Sequence, residues 1–243
     1  ISFSMPTEFI QGKEVLISNE ENFSIETVPI VDAEVNLFND TVNLTIENNL
    51  LKGSGKVILK GYFDCDSKRT IDAASNEEAV KNYISFLTRK GSNKYLLNNY
   101  SVQNNDAEML YIYDFELDSY IKKNDNDLYI NMNLDKSLEN SKFFKDDRVL
   151  PSENDFKKSL QLCYKLNIPL GYEVKYIPDN SSFFNDNFSF DIKYEHKNNS
   201  IIYNYSLILN YIMLNLNEQK TFNEMLKLLK AAYKDNVILS KTK

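Results

Sequence analysis

The chain has 243 residues, of which 42% are hydrophobic and 26% charged, a balance typical of a globular protein. Its net charge is −7 with acidic and basic residues interspersed, so a nucleic-acid-binding surface is not expected. No apolar run approaches the ~20 residues that span a bilayer, and the first residues lack the basic start and apolar core of a signal peptide. Because the chain begins at Ile1 rather than Met, we expect an upstream segment, where any export signal would lie.

Residues 1–34 are predicted to be a lead-in segment that follows an upstream domain, with a short strand at 14–18. From residue 35 the pattern becomes that of a sheet. Alternation in 42–47 and the run 56–63 predict two strands joined by a turn at 52–55. Gly53 and Gly55 are interpreted as turn or bulge glycines. A phosphate-binding loop needs a longer glycine pattern, and a dinucleotide fingerprint needs a third glycine.

The segment 76–90 is predicted to be an amphipathic helix. Ser75 and Glu78 have capping-box spacing at its start, and Gly91 follows its end. Its apolar stripe consists of Val80, Tyr83, Ile84 and Leu87. Strands at 111–118 and 128–134, separated by the polar turn 122–127, then predict an antiparallel meander. Together these elements indicate a β-rich domain over 35–147.

A second domain is predicted over 148–243, because 135–157 is polar and charged and contains Pro151. Alternation predicts strands at 160–166, 172–176, 188–195 and 201–211, with a short strand at 237–239. The last helix is expected at 222–234, with Thr221 and Glu224 at capping-box spacing. Its apolar stripe consists of Phe222, Met225, Leu226, Leu229 and Tyr233. The predicted fold is mainly β: two antiparallel sandwich-like β domains, each with one packed α-helix.

The candidate nucleophile and base are Cys163 and the only histidine, His196. A cysteine hydrolase needs a histidine base and a third orienting group. Cys163 lies in an alternating strand and His196 at a hairpin turn, and neither has a local motif. We therefore expect a structural cysteine, a solvated histidine and no catalytic residue. A disulfide between Cys65 and Cys163 is left open.

Acidic pairs suggest calcium only weakly, because a calcium loop needs oxygen ligands at alternating positions, a central glycine and a terminal glutamate. Lys68 occupies one of the positions that such a loop would need. The pairs are Asp64/Asp66, Asp125/Asp127 and Asp146/Asp147. We expect solvated turns there, and neither a metal site nor a cofactor site. The many tyrosines fall mostly at alternating strand positions, which favours core residues over a sugar-stacking platform.

A family resemblance is carried by short motifs in the second half of the chain. They are DRVLP at 147–151, IPLGY at 168–172, YIP at 176–178, NFSF at 187–190 and AAYKDNVIL at 231–239. This order resembles the C-terminal accessory region, of unknown function, of bacterial transglutaminase-like proteins. GKEVLI at 12–17 is similar to the stretch that follows their transglutaminase-like domain, and 52–69 resembles the Gly-rich hairpin of their linking region. The resemblance covers nearly the whole chain.

In that family a papain-like domain carries a Cys-His-Asp triad. The resemblance implies that this domain lies upstream, so that Cys65, Cys163 and His196 inherit no catalytic role. It also implies a periplasmic or cell-envelope protein of Gram-negative bacteria. We therefore expect a non-catalytic accessory or interaction module of a transglutaminase-like or protease-like protein. Its partner would be the upstream domain of the same chain, with any protein or glycan partner unidentified.

Two other functions stay open at this point. The first is a ligand-binding β-sandwich for a glycan or a peptide, which an exposed aromatic cluster would favour. The second is a cysteine hydrolase, which would need a Cys–His contact of roughly 3.5 Å with an acid behind the histidine.

Overall fold

An eight-stranded sheet organises the chain in the computed structural model, which describes residues 5–19, 22–91, 94–145 and 147–242. The helices are a 3₁₀ turn (Glu8–Ile10), α1 (Tyr62–Asp72), α2 (Glu77–Leu87) and α3 (Leu216–Ala232). The strands are β1 (Glu14–Asn19), β2 (Asn22–Thr27), β3 (Leu37–Glu47), β4 (Leu50–Leu59), β5 (Tyr95–Asn104), β6 (Met109–Leu117), β7 (Lys122–Asn124), β8 (Asp127–Ile130), β9 (Ser152–Glu153), β10 (Lys158–Asn167), β11 (Tyr172–Tyr176), β12 (Ser181–Phe184), β13 (Phe188–Lys197), β14 (Ser200–Leu209), β15 (Met213–Leu214) and β16 (Val237–Lys241). With 46% strand and 18% helix, the predicted mainly β class is confirmed.

The large sheet joins strands from both predicted domains, in the order β12-β13-β14-β10-β3-β4-β6-β5. At its centre β3 and β10 are hydrogen-bonded, with Leu37 opposite Ser159 and Leu44 opposite Leu166. This pair is parallel, whereas every other neighbouring pair in the sheet is antiparallel. A parallel pair needs a long connection, which the chain between the two strands provides. Strands from both sides of the expected boundary at 147/148 therefore share one sheet, in which the parallel β3–β10 pair lies among antiparallel pairs of the expected kind.

A four-stranded sheet of order β11-β16-β8-β7 also combines the two halves, because β8 pairs with β16. It contributes Leu128, Ile130, Val237 and Leu239 to the hydrophobic core that also contains the buried side chains of the large sheet. The two smaller sheets are the β1–β2 hairpin and the short β9–β15 pair. One core therefore runs across the predicted boundary.

Side chains alternate between the two faces of the large sheet. The helices pack on the face that carries the buried residues. On that face α1 contacts β4 and β6, α2 contacts β5, and α3 contacts β12 and β13. The opposite face carries polar side chains such as Asn39, Thr41, Gln161 and Asn204, which are half-buried or exposed. The amphipathic alternation in the sequence thus describes a sheet covered on one face only.

The strands predicted from alternation agree with the structure wherever the pattern is long. The predicted strands 160–166, 172–176, 188–195, 201–211 and 237–239 correspond to β10, β11, β13, β14 and β16. The segments 14–18 and 111–118 correspond to β1 and β6. The segment 128–134 is a strand only as far as Ile130, where β8 ends.

The predicted turn at 52–55 is wrong, because Gly53 and Gly55 lie inside β4. The turn between β3 and β4 is at Asn48 and Asn49, which have φ of 50° and 67°. A Cβ atom on Gly53 would lie 2.2 Å from the Phe115 ring, and one on Gly55 would lie 2.4 Å from the Tyr113 ring. The glycines are needed because aromatic rings from β6 cover the backbone of β4.

The helices differ from their predictions mainly at their starts. The run predicted as a strand to residue 63 ends at Leu59, and α1 follows from Tyr62 without having been predicted. Helix α1 buries only Tyr62, Asp64 and Ser67, so it shows no apolar stripe. Asn76 rather than Ser75 caps α2, which ends at residue 87 rather than 90. Helix α3 begins at residue 216, six residues before the expected 222, and its capping box is Asn215 and Glu218.

Candidate functional site

Cys163 and His196 lie on opposite faces of the large sheet. Cys163 on β10 is opposite Asn204 on β14, which is opposite Lys193 on β13. Residues that are directly opposite in neighbouring strands share a face, so Cys163 and Lys193 are on one face. His196 is three positions from Lys193 along the same strand and therefore points to the other face. The sheet register thus keeps these two side chains from forming a catalytic pair.

Neither cysteine is activated by its surroundings. Both thiols are half-buried and free of disulfide bonding. Burial raises the pKa of the Cys163 thiol, and burial together with the nearby Asp64 carboxylate raises the pKa of the Cys65 thiol. A raised pKa lowers the fraction of nucleophilic thiolate at neutral pH.

The structure describes both members of two of the three acidic pairs, on α1 and around the β7–β8 turn. Asp64 and Asp66 lie on α1, where they form ion pairs with Lys68 and Arg69. Asp125 lies in the β7–β8 turn with φ of 51°, and Asp127 pairs with Lys175 at 2.6 Å. Asp146 lies outside the described residues. Within the described part of the chain, no group of three or more His, Cys, Asp or Glu side chains is arranged to hold a metal ion.

The interior of the sheet contains an ion pair that the sequence patterns did not reveal. Asp40 on β3 is 0% exposed and Lys90, just after α2, is 1% exposed, and their side chains are hydrogen-bonded. The Tyr113 hydroxyl donates to Asp40 Oδ1 at 2.8 Å, and the Tyr164 hydroxyl donates to Asp40 Oδ2 at 3.3 Å. Lys90 Nζ lies 5.5 and 5.3 Å from the centres of these two rings. We call these four residues the Asp40 network.

The Asp40 network is closed to solvent, and the Asp40 carboxylate accepts from the other three members. Burial raises the pKa of both tyrosine hydroxyls well above the usual value, and the Asp40 carboxylate adds to the shift. Both hydroxyls therefore stay protonated as donors. One feature of the sequence could have indicated that Asp40 is buried. Asp40, Val42 and Leu44 are alternate residues of β3, so their side chains point to the same face of the sheet, and Val42 and Leu44 are core residues. Such a network specifies how β3, β6, β10 and the end of α2 fit together.

The tyrosines serve the core, as predicted. The buried ones are Tyr62, Tyr111, Tyr113, Tyr164, Tyr194, Tyr203, Tyr205, Tyr211 and Tyr233. Eight of these nine hydroxyls are hydrogen-bonded to other residues. The Tyr203 hydroxyl donates to Asn133 Oδ1 at 2.8 Å, and the Tyr205 and Tyr233 hydroxyls lie 2.8 Å apart. Burial with satisfied hydroxyls is the usual arrangement of interior tyrosine.

The β1–β2 hairpin, which forms a two-stranded sheet of its own, is the candidate interaction surface. Leu16 is opposite Ile25, and Ser18 is opposite Phe23. These pairs place Leu16, Phe23 and Ile25 on one face. The three side chains are 68%, 67% and 70% exposed, respectively. We call Leu16, Phe23 and Ile25 the hairpin face.

The base of the hairpin is anchored to the body of the protein. Gln11 is 2% exposed, accepts a hydrogen bond from the Val31 amide at 2.8 Å and donates to the Asp155 carbonyl at 3.3 Å. Lys13 pairs with Glu153 at 3.3 Å. An isolated two-stranded hairpin is marginally stable in water, and an exposed apolar cluster commonly marks a contact surface. The hairpin is thus held at one end while its apolar face is open to solvent.

Fold and surface together define a mainly β module with an anchored apolar hairpin. No described helix is long and apolar enough to cross a membrane. Residues 126–239 match the model of a domain of unknown function with a solved structure (DUF3858). This match spans the predicted boundary at 147/148 and runs from the start of β8 into β16. No curated protein and no solved structure matches the chain.

Proposed function

We propose that this chain is a non-catalytic accessory or interaction module of a transglutaminase-like or protease-like protein. The protein would reside in the cell envelope of a Gram-negative bacterium, in the periplasm. The observation that carries the proposal is the exposed hairpin face of Leu16, Phe23 and Ile25. The proposal assigns no catalytic role to Cys163 or His196.

The position of the hairpin supports a papain-like domain as the partner. Strand β1 begins within the segment 12–17, which resembles the stretch that follows the transglutaminase-like domain in that family. A surface at this position would be the first part of the module to meet that domain. Covering three large apolar side chains that are about two-thirds exposed would contribute on the order of 3–6 kcal/mol. That contribution would favour one arrangement of two neighbouring domains, which otherwise move relative to each other by default.

The test begins with the reading frame upstream of Ile1. If a papain-like domain is encoded there, it is produced separately and titrated with this chain by isothermal calorimetry. The variant Leu16→Thr/Phe23→Thr/Ile25→Thr retains strand-forming residues and is expected to abolish binding. Ile17→Thr, on the opposite face of the hairpin, is the matched control and should bind normally. Absence of an upstream papain-like domain, or equal binding by the triple variant, would refute the proposal.

A ligand-binding module is the second candidate, because a groove beside α1 combines apolar and acidic side chains. The lining of this groove contains five acidic residues and two basic ones. A glycan or a peptide was the expected ligand class. The charges in the groove favour a cationic ligand, which a peptide can provide and a neutral glycan cannot.

A further inference from the structure

The pair of Lys90 and Asp40 places an amino group against a carboxyl group inside the core. Asp40 is 0% exposed and Lys90 is 1% exposed, and the Lys90 ammonium group donates to Asp40 Oδ2. Each of the other ion pairs between described residues has at least one side chain that is 24% exposed or more. Among the described ion pairs, this is the one from which water is excluded at both partners.

The backbone holds both side chains in position. Asp40 lies on β3, which is hydrogen-bonded to β10 on one side and to β4 on the other. Thr88, two residues before Lys90, is 0% exposed, and the Gly91 amide just after Lys90 donates to the Leu134 carbonyl at 2.6 Å. Two groups that are held in a reactive orientation behave as if each were present at roughly 10⁵–10⁸ M. The fold thus favours a reaction between these two groups.

The two tyrosine hydroxyls of the Asp40 network can assist such a reaction. The Tyr113 hydroxyl donates to Asp40 Oδ1 at 2.8 Å, and the Tyr164 hydroxyl donates to Oδ2 at 3.3 Å. Burial raises the pKa of both hydroxyls well above the usual value, so both keep their protons. A donor on Oδ1 stabilises the negative charge that develops there when an amine attacks the Cγ atom.

We propose that Lys90 Nζ and Asp40 Cγ form an intramolecular amide bond, with the ion pair as its reactant. The Nζ–Cγ bond forms and the Cγ–Oδ2 bond breaks. Two of the three ammonium protons pass to Oδ2, which leaves as water, and the third stays on the amide nitrogen. This condensation changes no oxidation state and needs no co-reactant. Oδ1 becomes the amide carbonyl oxygen and still accepts from the Tyr113 hydroxyl.

The loss of two buried charges favours the bond. Keeping an ammonium group and a carboxylate out of water is costly even when they are paired, and the amide carries neither charge. The bond would join residues 50 positions apart, and a cross-link across a loop of that length restricts the unfolded chain. Lys90→Met would lose this restriction and also leave the Asp40 carboxylate without its countercharge. The inference does not depend on the hairpin face or on its partner.

The experiment is intact-mass spectrometry of the whole purified chain in denaturant. We expect the unmodified chain to be lighter than its sequence mass by one water molecule, and Lys90→Met, which has no amine at this position, to have its full sequence mass. Lys193→Met is the control, because Lys193 is 54% exposed and pairs with Asp191 on the open face. It should still lack one water molecule. A full sequence mass for the unmodified chain, or a water loss that persists in Lys90→Met, would overturn the proposal.

Tryptic digestion of the unmodified chain locates the bond and does not depend on the folding of any variant. Trypsin cannot cleave after a lysine whose amine is in an amide bond. We therefore expect a branched peptide that joins residues 14–52, which contain Asp40, to residues 90–94. Tandem mass spectrometry identifies both arms and the linked residues. Recovery of 14–52 and 91–94 as separate linear peptides in full amount would show that the bond does not form.

Discussion

Replacing Lys90 by methionine is expected to destabilise the protein strongly, because it leaves the Asp40 carboxylate buried without its countercharge. Asp40 is 0% exposed and Lys90 is 1% exposed, so water cannot take the place of the missing ammonium group. Methionine has an apolar side chain of similar length, so the substitution leaves little empty space and the free-energy cost of a cavity is small. The hydroxyls of Tyr113 and Tyr164 still donate to Asp40 but carry no charge.

The magnitude follows from the burial of the pair. Removal of one partner of a buried ion pair costs about 3–5 kcal/mol. The two remaining hydroxyl donors move the expected value for Lys90→Met toward the lower end, about 3 kcal/mol. The double variant Asp40→Leu/Lys90→Met removes both charges. It should be more stable than Lys90→Met alone, because it no longer contains the Asp40 carboxylate without its countercharge.

Urea unfolding followed by circular dichroism at neutral pH measures these differences, and the single variant Asp40→Leu completes a double-mutant cycle. Lys193→Met is the control, because the Lys193–Asp191 pair lies on the open face, with Lys193 54% exposed at its side chain. Its loss should cost below ~1 kcal/mol, as exposed pairs usually do. If Lys90→Met and Lys193→Met lower the unfolding free energy equally, the Asp40 network does not stabilise the core.

Three further predictions concern helix α3, the segment between the halves and the buried tyrosines. Leu226→Ala should cost about 2–5 kcal/mol in a thermal melt, because Leu226 is 0% exposed, whereas the exposed Lys227→Ala should cost well below ~1 kcal/mol. Equal shifts would mean that α3 is not docked on the sheet. Limited proteolysis should cut first within 135–157, which is irregular over most of its described length. The pieces should still co-elute in size-exclusion chromatography, because β3 and β10 remain paired, and their separation would instead support independent domains. Burial raises the pKa of Tyr211 from 10.0 to about 12, so its stabilising contribution is present below pH 10 and is lost as the pH rises toward about 12. Tyr211→Phe should therefore reduce the fall in urea midpoint over that pH range, and an unchanged fall would assign the alkaline loss to other groups.

The sequence by itself determined the mainly β class and the positions of the long strands. Strands β13 and β14 have ten residues each, and along most of each strand buried core residues alternate with residues of the opposite face. This alternation is a local property, because successive side chains of a strand point to opposite sides. Helix α2 could also be predicted from a local pattern, because its apolar residues recur at helical spacing around the buried Ile84.

The candidate sites depended more on contacts between distant parts of the chain. Residues 14–18 were predicted as a strand, but the pattern did not show that Leu16 would be exposed beside Phe23 and Ile25. Helix α1 was missed because it buries few side chains, and with it the groove beside α1 was missed. The absence of a motif around Cys163 and His196 was visible in the sequence, whereas their separation onto opposite faces required the register of β10, β14 and β13.

Only the tertiary structure decided how the two halves combine. The parallel pairing of β3 with β10 joins segments that are more than a hundred residues apart, with Leu37 opposite Ser159. Period-two patterns say which side of a strand is buried but not which strand lies beside it, because backbone hydrogen bonds are the same for every sequence. The same limit applies to Gly53 and Gly55, whose role comes from the rings of Phe115 and Tyr113. It also applies to Lys90, whose position after a helix gave no sign of a buried partner on β3.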